Sequence, residues 1–180
     1  MSRKNKLKLL VYVIAALVGF FQLVAKYKLM DPDGVSYLDI SDAYRHGDWH
    51  NAINAYWSPL FSWLLALTLT VIKPSTYWEF SSVHFVNYIV FLIGLPCFSF
   101  FLSELATFRS RLPLFSAQRA EDFLPAWLWW VLGYALFIWS SVELIGITRP
   151  TPDMCAGIIV YLAAGLTLRL RSSQAMRATA

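Results

Sequence analysis

Charge is scarce in this sequence. Only 14% of its 180 residues are Asp, Glu, Lys or Arg, against about 25% in an average soluble domain, which excludes an ordinary water-soluble globule. Cysteine is nearly absent. Cys97 and Cys155 both fall within or at the edge of apolar runs, with no His or Cys at ligand spacing. A zinc site is therefore not supported, and both thiols read as small apolar residues. His46, His50 and His84 also lack partners at any ligand spacing; His84 and Asn87 are expected to bond to a neighbouring helix. The cations outnumber the acids by fifteen to eleven and the pI is about 9.1. They stand, however, in short patches beside apolar runs, the pattern of membrane topology signals, so no nucleic-acid partner is expected.

Hydrophobicity is what the chain has in plenty. It is 58% hydrophobic with a mean hydropathy of +0.52, and its eight tryptophans and nine tyrosines suit a chain that crosses several interfacial zones. The fold class that follows is all-α: a polytopic membrane protein whose lipids are its first partners.

The first apolar run, 9–25, follows Arg3, Lys4, Lys6 and Lys8 and leads into VAKYK. It outlasts the apolar core of a signal peptide, about 7–15 residues, and lacks a small-x-small cleavage site, so it reads as an uncleaved span with a cytoplasmic N-terminus. Further apolar stretches lie at 59–72, 83–106, 125–147 and 154–170. A spanning helix needs about 17–25 residues, which makes 59–72 short. Charge decides between four spans and five. If all five crossed, the loop holding Arg109, Arg111 and Arg119 and the tail holding Arg169 and Arg171 would both lie outside. If 59–72 lies along the interface, both basic clusters join the N-terminal one in the cytoplasm, as the positive-inside rule requires. Four spans, an external acidic loop at 26–58 and a juxtamembrane helix at 59–72 are expected, in one module covering 1–180.

That topology brings the acids to one face. The segment 31–49, DPDGVSYLDISDAYRHGDW, carries five of the eleven acidic residues, and carboxylates beside a bilayer need a reason because they are costly to dehydrate. The RPTPD loop, 149–153, falls on the same external side, as does Glu143. From Gly34 the acidic segment reads as a short amphipathic helix, with Val35, Leu38 and Ile40 as apolar contacts and an end at Gly47-Asp48. Asp33 has two readings, a helix N-cap or a general base of raised pKa. Asp31, with Pro32 at the first helical position, offers the cap one step earlier. Arg149 either snorkels to headgroups or clamps a phosphate, for which its planar fork is suited. Asp153 either caps the last span or serves the site.

In the order Asp33-Gly34-Val35-Ser36-Tyr37-Leu38-Asp39-Ile40-Ser41, then Gly47-Asp48-Trp49, then YWSPLFSWLLAL from Tyr56, then TPDM from Thr151, the chain resembles the GT-C superfamily of polytopic glycosyltransferases. Notable members of that superfamily are the lipid A aminoarabinose transferases and the protein O-mannosyltransferases. In that family a first span leads to an external loop with an acidic motif and a tyrosine, then to a proline-bearing juxtamembrane helix. The resemblance implies that Asp33 is the catalytic base, that Asp153 supports the site, and that Asp31 and Tyr37 support the acidic loop. It implies an extracytoplasmic site, a polyprenyl-phosphate sugar donor and a lipid, glycan or protein acceptor, with Arg149 as the candidate for the donor phosphate and Arg45 and Lys28 as weaker ones. No organic cofactor is implied. Members with monophosphate donors work without an obligatory metal, though two carboxylates at one site can hold a divalent ion. Trp57-Ser58-Pro59 stands where the mannosyltransferases carry His-Pro-Pro. The match covers the family's N-terminal module, so a fragment or truncated product is expected. Two rivals remain: a catalytically silent multi-pass partner subunit, and a transporter fragment.

Overall fold

The structure, a computed structural model, describes residues 3–111 and 125–178. Among them every regular element is a helix: α1 (Arg3–Lys26), α2 (Pro32–His46), α3 (Trp49–Ala52), α4 (Pro59–Ile72), α5 (Glu79–Ser110), α6 (Ala126–Trp139) running into a π-turn (Ser140–Leu144), and α7 (Asp153–Ala178), with a short 3-10 turn (Thr76–Trp78) before α5. Four helices are long and apolar enough to cross a membrane, and α4 is not among them. At 1.5 Å per residue its 14 residues extend about 21 Å, short of a hydrocarbon core of about 30 Å. It ends where Lys73 turns left-handed, at φ 49°, before Pro74, which cannot prolong a helix.

Antiparallel packing of α1 on α5 carries the topology. Going down the pair, the Tyr27 carbonyl accepts from Ser81 Oγ at 3.3 Å, Ala16 O from the Tyr88 hydroxyl at 3.1 Å, and the Tyr12 hydroxyl meets Ser99 Oγ at 2.6 Å. The end of α1 thus lies beside the start of α5, so the chain from α2 to α4 leaves and returns at the same end of the bundle and adds no crossing. Helix α6 runs antiparallel to α5, with Phe137 stacked on Phe91 and Trp129 under the Arg109 guanidinium. Helix α7 runs parallel to α5, from Tyr161 against Phe101 to the Arg111 bond with Ser172 O at 2.8 Å.

Lys6, Lys8, Arg109, Arg111, Arg169 and Arg171 therefore gather at one end, and the acidic segment, Glu143 and Asp153 at the other. Arg119 lies outside the described residues. The bundle is apolar outward as well as inward. Phe21 is 67% and Leu170 63% exposed, which fits lipid as the surrounding solvent. Together these features define an all-α polytopic membrane protein.

Helix α5 is the hub. Phe98 stacks on Phe137 at 4.8 Å and meets Tyr161 edge-on at 5.1 Å, joining three helices through rings. Beside them Ser99 Oγ donates to Leu95 O at 2.8 Å, which leaves its lone pairs to accept from Tyr12 at 2.6 Å and Tyr134 at 2.9 Å. Ser99→Ala strands two tyrosine hydroxyls between helices. Interhelical bonds in membranes average about 0.6 kcal/mol, with a maximum near 1.7, so the expected loss is about 1 kcal/mol, read as a lower thermal midpoint in detergent. Ser103→Ala, which removes only a bond within α5 to Ser99 O, is the control and should leave the midpoint in place.

Candidate functional site

Five carboxylates crowd the segment after α1, and local chemistry occupies three of them. Asp31 is the N-cap of α2: its Oδ1 accepts from Gly34 N at 2.7 Å, with Pro32 opening the helix. The helix therefore begins two residues before the expected Gly34, and the cap belongs to Asp31. Asp48 caps α3, and the Asn51 amide on Oδ2 at 2.7 Å holds its carboxyl below the usual range. Asp42 pairs with Arg45 at 3.0 Å and His46 at 3.3 Å. Asp33 and Asp39 are exposed, with no hydrogen bond or ion pair among the described residues.

Helix α2 buries Gly34, Tyr37, Leu38 and Ser41, a stripe at helical spacing, together with Ile40. Val35, expected to make an apolar contact, is 42% exposed instead; it falls one residue off the stripe. Tyr37 carries the stripe onto α4, edge-on to Trp57 at 5.0 Å and Phe61 at 5.2 Å. Burial pushes the Tyr37 hydroxyl above its ordinary range. The Ser58 backbone opposes that by hydrogen bonding, and the charges of Asp153 and Asp33 add to it. One phenol thus senses both carboxylates and keeps its proton.

The second half of the site arrives from α6. The π-turn ends with Ile145 N on Ser140 O at 2.8 Å and Ile147 N on Ser141 O at 2.9 Å. Gly146, at φ +73°, then reverses the chain in a conformation that favours glycine, and the Arg149 stem lies over it. Pro150 is fully buried while Arg149 and Asp153 are exposed. Thr151 Oγ1 donates to Asp153 Oδ2 at 2.9 Å. The seam between the halves is Gly34, where a built Cβ would collide with the Pro150 ring and the Met30 sulfur. Bare backbone there lets α2 and the 149–153 loop touch.

The structure thus brings Asp31, Asp33, Tyr37, Arg149 and Asp153 to one end of the bundle. It does not bring Arg45, which lies twelve residues along α2 from Asp33, about 18 Å at helical rise, engaged with Asp42. Lys28 sits over the Tyr77 and Tyr27 rings at 4.8 and 5.3 Å, and its hydrogen bonds to those hydroxyls, Tyr77 first, raise its pKa. His84 and Asn87, expected to bond to a neighbouring helix, bond instead to loop carbonyls, those of Leu29 and Arg149. Sequence reasoning missed Gly34 as a contact. The available signal was a glycine in the first turn of a helix, where it weakens the helix unless something must come close. Among the described residues no group of three or more His, Cys, Asp or Glu is placed to hold a metal ion.

No family model, curated protein or solved structure matches this chain.

Proposed function

We propose that this chain is an integral-membrane glycosyltransferase of the GT-C type, or the N-terminal module of one. It transfers a sugar from a polyprenyl-phosphate donor to a lipid, glycan or protein acceptor at the extracytoplasmic face. The observation that supports the reading best is the Gly34–Pro150 seam, which sets a bond-free carboxylate, Asp33, beside a loop bearing an exposed arginine and a second carboxylate. In this reading Asp33 takes the proton of the acceptor hydroxyl as its oxygen bonds to the anomeric carbon. The carbon–oxygen bond to phosphate breaks, and Arg149 meets the charge that grows on the departing polyprenyl phosphate. Tyr37, whose hydroxyl feels the charge of both carboxylates, completes the group.

The direct test uses the full chain in liposomes holding a panel of polyprenyl-phosphate monosaccharides with radiolabelled sugars, supplied with lipid and glycan acceptors. Labelled product above protein-free vesicles supports the reading; none across the panel counts against it. Orientation has its own test, in a background with Cys97 and Cys155 replaced by alanine. In intact cells an impermeant thiol reagent should label Asp39→Cys fully and leave Thr107→Cys unlabelled, because the cation-rich end faces the cytoplasm. Labelling at position 107 from outside would reverse the orientation and remove the extracytoplasmic site.

A further inference from the structure

Helix α5 contributes no residue to the proposed chemistry, yet its first turns touch both halves of the site. Ser81, His84 and Asn87 are three residues apart on one face. His84 Nε2 meets Leu29 O at 2.6 Å; the partner is a carbonyl, so Nε2 carries the proton and donates. Asn87 Nδ2 donates to Arg149 O at 2.6 Å. Ser81 Oγ adds a longer bond to Tyr27 O, 3.3 Å. His84 is 1% and Asn87 3% exposed.

We infer that His84 and Asn87 are positioning residues, which fix the backbone ahead of Asp33 and ahead of Asp153 to one rigid helix and so hold the two carboxylates in register. The inference rests on the function proposed above. Its geometry is regular: Leu29 lies four residues before Asp33, and Arg149 four before Asp153. Each spacer contains proline, Pro32 in one and Pro150 and Pro152 in the other, whose rings lock φ and stiffen the path from the held carbonyl to the carboxylate. The two side chains are also only half satisfied. His84 Nδ1 and Asn87 Oδ1 are buried with no hydrogen-bond partner among the described residues, which costs free energy that an apolar side chain would not. What the fold obtains from polar residues here is the two short bonds to the loops.

The test compares His84→Met and Asn87→Leu, which remove the donors, with His84→Gln, whose amide can still donate to Leu29 O. In the liposome assay His84→Met and Asn87→Leu should each lower kcat about tenfold or more, as small misplacements of catalytic groups do, and leave KM unchanged, while His84→Gln recovers most of the rate. On an Asp33→Asn background His84→Met should add no further loss, because it acts through Asp33. A separate arm needs no activity. Spin labels at Asp39→Cys and Thr148→Cys, with Cys97 and Cys155 replaced by alanine, should give one narrow distance in the parent and in His84→Gln, and a broadened one in His84→Met and Asn87→Leu. Unbroadened distances with full kcat in both donor-free variants would overturn the inference. A parent without transfer activity overturns the proposed function alone, and the distances still decide the clamp.

Discussion

Asp33→Asn should reduce sugar transfer by about 10²–10⁴-fold, the range supplied by a positioned general base, with protein yield and thermal midpoint close to the parent. The stability expectation comes from where Asp33 sits. It lies in the first turn of α2, exposed and bonded to nothing among the described residues, so its structural contribution is its charge near the helix N-terminus, worth about 0.3–1 kcal/mol. Asp31→Asn is the matched comparison. Asparagine caps a helix about as well as aspartate, so the bond from Gly34 N survives, and both transfer and stability should hold. Asp31→Ala should cost about 1 kcal/mol of stability with a smaller loss of rate. The pair separates cap from base, because the same substitution is made two residues apart in one turn. Full transfer by Asp33→Asn at normal yield sinks the base assignment, and an inactive Asp31→Asn moves it to the neighbour.

That comparison became possible only with coordinates, which shows where sequence reading stops. The four long apolar helices could be read because hydrophobicity over a window marks a helix fit for a bilayer, and α4 stood apart because its apolar run is short. Both arguments depend on composition over long windows. Helix ends were less legible: α5 begins at Glu79, four residues before its apolar run, since a helix continues past the point where it leaves lipid. The cap was ambiguous in principle. In Asp31-Pro32-Asp33 either acid can precede a helical residue, and only the 2.7 Å bond to Gly34 N separates them. The acidic segment stood out as a candidate site by its charge. The partners of His84 and Asn87 were not, because they lie 55 and 62 residues away in sequence, and no local pattern encodes such a bond. The π-turn at Ser140–Leu144 had no sequence signal either, although it delivers Arg149 and Asp153.

Gly34→Ala should also damage the site, by a different route from loss of the base. The helix itself would gain slightly, because alanine is the better helix former by about 1 kcal/mol in a helix interior. The added methyl, however, has no room. It would collide with the ring of Pro150, which is fully buried and cannot swing aside as a flexible side chain does, and with the Met30 sulfur. Overpacking of this kind costs about 1–3 kcal/mol, enough to outweigh the helix gain and to push the 149–153 loop away from α2. Transfer should fall about tenfold or more, since the seam joins the first turn of α2, which bears Asp33, to the loop that bears Arg149 and Asp153. Gly47→Ala supplies the contrast. Nothing stands within 4 Å of a Cβ there, but φ is +71°, so that change should strain the backbone by about 1 kcal/mol and leave transfer intact. A second substitution makes the mechanism specific. If the collision with the Pro150 ring is the cause, Pro150→Ala should restore much of the loss in Gly34→Ala, an interaction between neighbours that a double-mutant cycle measures directly. Gly34→Ala with the parent's rate would mean that α2 and the loop do not form one site, and additive losses in the double variant would remove Pro150 as the partner.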